Sequence, residues 1–247
     1  MPAGVYLGRS KTGSGNAMPV NPQTGQLDIN ALINQMVDRR KTYVYDTLKL
    51  APGATVASTP YQFFKNPIGT ADPYNGNITK TEVETNMQSA GQFNPPYDMI
   101  LNNLGFLFAA DNLLYDIEQI IKLGWFEFKI LEKRMWSGHL WRHPPGAGLS
   151  GFTTRSGESV WNNGMPEPGA IWRFGDYMKY IPPMVNFSLT LNYPETLNNF
   201  YNSNLPANVV AVGTAGTSLP TIQTAAQGGN GIQLIAFMNG LSDGPVQ

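Results

Sequence analysis

The chain has 247 residues, 42% of them apolar, enough to bury one large core. Charged residues are only 13%, about half the ~25% usual in soluble domains, and 16 Lys+Arg against 17 Asp+Glu leave a net charge of −1. That balance excludes a strongly basic nucleic-acid coat and an acidic solvating tail, and the lack of cysteine excludes a disulfide framework, thiol catalysis and thiolate-bound metal.

Residues 1–27 are Gly-, Ser-, Asn- and Pro-rich, with Arg9 and Lys11 as the only charged side chains. They predict a pliable arm, either loose or ordered against a neighbouring subunit. Residues 28–247 then read as a single domain. Asp28 is a candidate N-cap for a helix whose apolar stripe is Ile29, Leu32, Ile33, Met36 and Val37, with Arg39, Arg40 and Lys41 at its C-terminal end, where the helix dipole favours cations. Strands are predicted at Tyr43–Leu50 and Pro60–Phe64, and a long surface excursion covers residues 65–92. After Pro95-Pro96 comes a strong strand from Met99 to about Ala110.

Asp111 or Asn112 would cap a second short helix with Leu113, Leu114, Ile117, Ile120 and Ile121 on one face and Gly124 as its stop. From Trp125, the alternation of Phe126, Phe128 and Ile130 with Glu127 and Lys129 predicts a half-buried strand continuing through Met135 toward Trp141. Residues 144–169 form a second excursion, and Ile171–Tyr180 reads as extended. The clearest strand follows Pro182-Pro183, with Val185, Phe187, Leu189 and Leu191 on one face and Asn186, Ser188, Thr190 and Asn192 on the other. Asn208–Val212 and Ile232–Asn239 are the last strands. About eight antiparallel strands, two short helices and long loops, without regular strand–helix alternation, predict a mainly β chain folded as a single jelly-roll sandwich.

Catalytic templates fail on context. Gly146-Ala147-Gly148-Leu149-Ser150-Gly151 has the letters of a dinucleotide fingerprint but lacks a preceding strand and a following helix. Ser150 misses the nucleophile elbow because Phe152 stands where glycine is needed. His139 and His143 are the only histidines; their spacing would suit a shared metal on a helix, but the flanking residues read as a strand entering a loop with no third ligand. No metal, cofactor, catalytic group or small-molecule substrate is therefore assigned. The five tryptophans, Trp125, Trp136, Trp141, Trp161 and Trp172, would fill a core, anchor subunit contacts or stack on sugars. Trp136, Trp141, Trp161 and Trp172 are the candidate interface aromatics. A charge-poor surface aggregates unless partners cover much of it, which favours contact between copies.

Three segments carry a family resemblance. Thr85-Asn86-Met87 with Ala90-Gly91-Gln92-Phe93, the proline pair and the Met99 strand resembles the middle of jelly-roll major capsid proteins of small tailless icosahedral bacteriophages. Tyr180-Ile181-Pro182-Pro183-Met184-Val185-Asn186-Phe187-Ser188-Leu189 is similar to their late strand, and Leu234 to Gln247 to their closing strand and tail. The likeness covers about a third of the chain, and the chain is short for a double jelly roll.

The resemblance implies a structural protein with no catalytic residues. Such a protein assembles in the host cytoplasm into an icosahedral virion shell around the genome, with itself and other virion proteins as partners. Arg9, Lys11, Arg39, Arg40 and Lys41 would then face inward and attract genome or an internal membrane. The alternative is a carbohydrate-binding, lectin-like β-sandwich using exposed tryptophans as a platform. A third reading, a β-rich hydrolase, needs His139 or His143 beside an acid and a hydroxyl in a pocket.

Overall fold

The computed structural model describes residues 20–21, 24–25, 27–29, 31, 39–54, 56, 59–109, 112, 114–142, 150–153, 159–162, 178–193 and 231–243. The chain is mainly β. Its elements are β1 (Arg39–Leu50), β2 (Tyr61–Phe63), β3 (Ala71–Asp72), β4 (Ile78–Thr79), β5 (Met99–Phe108), α1 (Leu114–Leu123), β6 (Trp125–Ile130) and β7 (Lys133–His139). A 3-10 turn (Leu140–Arg142) follows, then β8 (Ser150–Thr153), β9 (Ser159–Asn162), β10 (Lys179–Ile181), β11 (Phe187–Asn192) and β12 (Ile232–Asp243).

Two four-stranded antiparallel sheets organise the molecule, one in the order β1-β12-β5-β10 and the other β2-β11-β6-β7; β3–β4 and β8–β9 are small separate hairpins. Among the eight strands of the larger sheets the pairing is nested. The first pairs with the last (β1 with β12), β2 with β11, β5 with β10, and β6 with β7.

Side-chain alternation sends one face of each sheet into a shared core. Val44, Leu48, Leu104, Phe106, Leu234, Ala236 and Met238 come from the first sheet, and Phe63, Phe126, Phe128, Leu189 and Leu191 from the second. Phe106 spans the interior, its ring centroid 6.2 Å from Phe63 and 5.5 Å from Phe126. Helix α1 buries Leu114, Ile117 and Ile120 and lies against β7, the 3-10 turn and the β8–β9 hairpin. At Gly124 an added Cβ would lie 2.8 Å from the Ile120 carbonyl oxygen, so the helix ends where only glycine fits.

On the outer face of the first sheet, Leu27, Ile29, Met178, Tyr180 and Leu241 pack against fully buried Ile100. Asp28 accepts the Ala31 N–H at 2.9 Å, the expected cap, and Ile29 and Ala31 are helical. Leu32, Ile33, Met36 and Val37 of the predicted stripe lie outside the described residues, as do the 208–212 strand and the glycine run at 146–149.

Several expectations are corrected. Arg39, Arg40 and Lys41 do not close a helix; they open β1, where pairing with Asp243, Ser242 and Leu241 of β12 prevails over the dipole argument. The strand from Trp125 does not run on to Trp141. It turns at Leu131, which adopts φ +53°, and returns as β7. Asn112, one of the two candidate caps of α1, also ties the start of β12: its side chain accepts the Gln233 N–H at 3.1 Å and donates to the Gln233 carbonyl at 2.8 Å.

Candidate interaction surface

The 65–92 excursion is tied down by a charged cluster that the sequence hides. In β1, Val44, Asp46, Leu48 and Leu50 alternate onto the inward side, so Asp46 enters the interior and is almost fully buried. Lys80, just after β4, answers it. Its Nζ donates to Asp46 Oδ1 at 2.6 Å and to the Thr47 carbonyl at 2.9 Å, and stands 3.8 Å from Asp72 Oδ2. Asp46 Oδ2 accepts the Phe64 N–H at 2.6 Å. Burial pushes the Asp46 carboxyl above its ordinary range, and the Lys80 charge, with hydrogen bonds from Lys80, Phe64 and Thr85, only partly opposes this.

A second tie is nearer the surface. Lys49 Nζ donates to Glu84 Oε1 at 2.8 Å, and Glu84 Oε2 accepts both the N–H and the hydroxyl of Thr81. Burial opposes ionisation of Glu84, but the Lys49 and Thr81 hydrogen bonds and the Lys49 charge outweigh it, bringing the carboxyl down to about 2. Asn86 closes part of the β1 edge, its side chain accepting the Tyr45 N–H at 2.9 Å and donating to the Tyr43 carbonyl at 2.9 Å. An edge blunted in this way resists strand-to-strand aggregation.

Aromatic residues form the exposed feature. In the β6–β7 hairpin Trp125 is directly opposite His139. Their rings meet edge-on at 4.9 Å, and the His139 ring stacks on Trp141 at 6.0 Å with a 22° interplanar angle. Trp125 is 38% exposed and Trp141 54%, so hydrophobic rings lie open to solvent around one histidine. Of the candidate interface aromatics, Trp141 belongs to this patch. Trp136 is half-buried and packs edge-on against the core residue Phe126 at 5.2 Å. Trp161 lies in β9 opposite Gly151, with its side chain outside the described residues, as is all of Trp172. Trp125 was not among the interface candidates, and only the hairpin register reveals its place.

Of the candidate basic residues only Arg40 and Lys41 have side chains among the described residues. Arg40 and Lys41 are exposed, and strand alternation places them on opposite sides of the sheet. Arg9 and Lys11 lie outside the described residues. His139, needed for the hydrolase reading, has its ring contacts with Trp125 and Trp141 on the surface; His143 lies outside the described residues.

A shallow groove is lined by Thr42, Met87, Phe93, Tyr97, Asp98 and Ser242, among others, with no histidine among the described lining residues. There the Tyr180 hydroxyl donates to Asp98 at 2.9 Å, and Ser242 Oγ is buried without a hydrogen-bond partner. Among the described residues no group of three or more His, Asp or Glu side chains is placed to hold a metal ion, and no helix is long and apolar enough to cross a membrane. No family model matches the chain, and neither a curated protein nor a solved structure matches it.

Proposed function

We propose that this chain is a structural subunit that assembles with copies of itself into a closed shell, the major capsid protein of an icosahedral virion, built on a single jelly roll. The observation that carries the reading is the nested pairing of β1 with β12, β2 with β11, β5 with β10 and β6 with β7, divided between two sheets. A long antiparallel ribbon rolled over on itself gives this arrangement. Its outermost and third strand pairs fall in one sheet, and its second and innermost pairs in the other.

The jelly roll also serves lectins and cupins, so topology alone does not choose among them. The surface supports the shell. A chain with 13% charged residues that leaves Trp125 and Trp141 open needs cover, and symmetric copies hide the same patches on every subunit. On this reading the partners are other copies and other virion proteins, and the protein's place is the virion.

Sedimentation velocity of the purified protein over a range of salt and concentration tests this. Assembly-competent protein sediments as species of megadalton size. A monomer at every condition, coupled to glycan binding lost in Trp141→Ala, would replace the shell with the carbohydrate-binding reading.

A further inference from the structure

Lysine and carboxylate side chains in water stay charged and do not condense; fixed against each other in a dry interior that favours their neutral forms, they can become reactants for an amide. Lys80 and Asp46 meet this description. Both are almost completely buried, Nζ is 2.6 Å from Oδ1, and a C–O bond of about 1.2 Å puts Nζ within ~3.8 Å of the carboxyl carbon. Fixing the two groups by folding supplies the effective concentration that an intermolecular amide formation lacks. A second buried carboxyl, Asp72, stands 3.8 Å from the same nitrogen. The far oxygen of Asp46 receives the Phe64 N–H at 2.6 Å. Phe64 itself is wholly buried and held at φ +63°, a conformation that non-glycine residues seldom adopt and that is concentrated where backbone groups perform a task.

We propose that Lys80 and Asp46 condense into an intramolecular isopeptide bond, with Asp72 as proton carrier and the Phe64 N–H as the oxyanion donor. The proton of the ion pair moves from Lys80 Nζ to Asp46 Oδ1, leaving a neutral amine beside a neutral acid. Burial favours that neutral form, in keeping with the upward displacement of the Asp46 carboxyl. Nζ attacks Cγ and a C–N bond forms. Negative charge gathers on Oδ2, where the Phe64 N–H points. Asp72 takes a proton from the nitrogen and returns it to Oδ1, the C–O bond breaks, and one water leaves. No electrons are exchanged and no co-reactant is needed.

The product joins β1 to the end of the β3–β4 hairpin across 34 residues, a covalent closure in a chain that has no cysteine for a disulfide. The inference stands whether or not the chain builds a shell.

Intact-mass spectrometry of the full-length protein under denaturing conditions decides it. The expected mass is lower than that of the sequence by one water, with a branched peptide linking Asp46 to Lys80 in the digest. Lys80→Met and Asp72→Asn restore the full mass, and Asp46→Asn loses ammonia instead and gives the same branched peptide. A wild-type protein of full mass after prolonged incubation overturns the proposal, even if the variants fail to fold. So does a loss of water that maps to Asp243-Gly244, where backbone cyclisation would mimic it.

Discussion

Phe64 N–H reaches Asp46 Oδ2 at 2.6 Å, a contact made by a buried phenylalanine that adopts φ +63°. The other side of the same residue is held as firmly. Gly91 donates its N–H to the Phe64 carbonyl at 2.7 Å, and its own carbonyl accepts the Phe187 N–H at 2.7 Å. The end of the 65–92 excursion is thereby threaded between β2 and β11.

Gly91 is the narrow point of that arrangement. It adopts φ +59°, and a Cβ there would lie 2.7 Å from the Phe187 carbonyl oxygen. Gly91→Ala is therefore expected to destabilise the protein by about 2 kcal/mol or more, combining the left-handed conformation with a backbone clash. Urea denaturation checks this: the midpoint falls with an unchanged slope. An unchanged midpoint would mean that the loop relaxes without loss.

How much of this was legible in the sequence depends on distance along the chain. The alternation of Phe187, Leu189 and Leu191 announces β11, and that of Phe126, Phe128 and Ile130 announces β6, because each pattern is local and each face is buried. The β6–β7 turn is invisible, since Leu131 takes the left-handed position without the usual Gly or Asn. Arg39 to Lys41 fit a helix end as well as a strand start, and pairing with β12, some two hundred positions away, decides between them. The Asp46–Lys80 pair is not visible either, because the two residues lie 34 positions apart and nothing local to either one identifies the other. The exposed aromatic patch exists only because register sets Trp125 against His139.

Acid should loosen the Lys49–Glu84 tie. The folded Glu84 carboxyl titrates at about 2, below its ordinary value of 4.5, so the unfolded chain binds more protons between those values. Its contribution is complete above about pH 4.5 and is lost as the pH falls toward 2. For a partly exposed pair the effect is on the order of 1 kcal/mol after solvent screening. Glu84→Gln should lower stability at pH 7 and flatten the acid limb of stability against pH. An acid limb identical to that of the wild type would remove Glu84 as its source.

Trp141 and Trp136 should separate assembly from folding. Trp141 is more than half exposed, so Trp141→Ala should change subunit stability by no more than ~0.5 kcal/mol. If copies pack on this patch, the same substitution should raise the protein concentration needed for assembly about tenfold or more. Trp136→Ala opens space beside Phe126 and should destabilise the subunit by ~2–4 kcal/mol. Light scattering across a concentration series, paired with thermal unfolding of the soluble subunit, reads both effects. Equal losses of stability in the two variants would contradict the division.

If copies of one chain cover each other's charge-poor exterior, electron microscopy of the purified protein sees it directly. Closed particles of uniform diameter, whose averaged density accepts the two-sheet subunit with the Trp125–His139–Trp141 patch at a contact between copies, are the result expected. A field of single subunits, or particles in which that patch faces solvent on every copy, would contradict it.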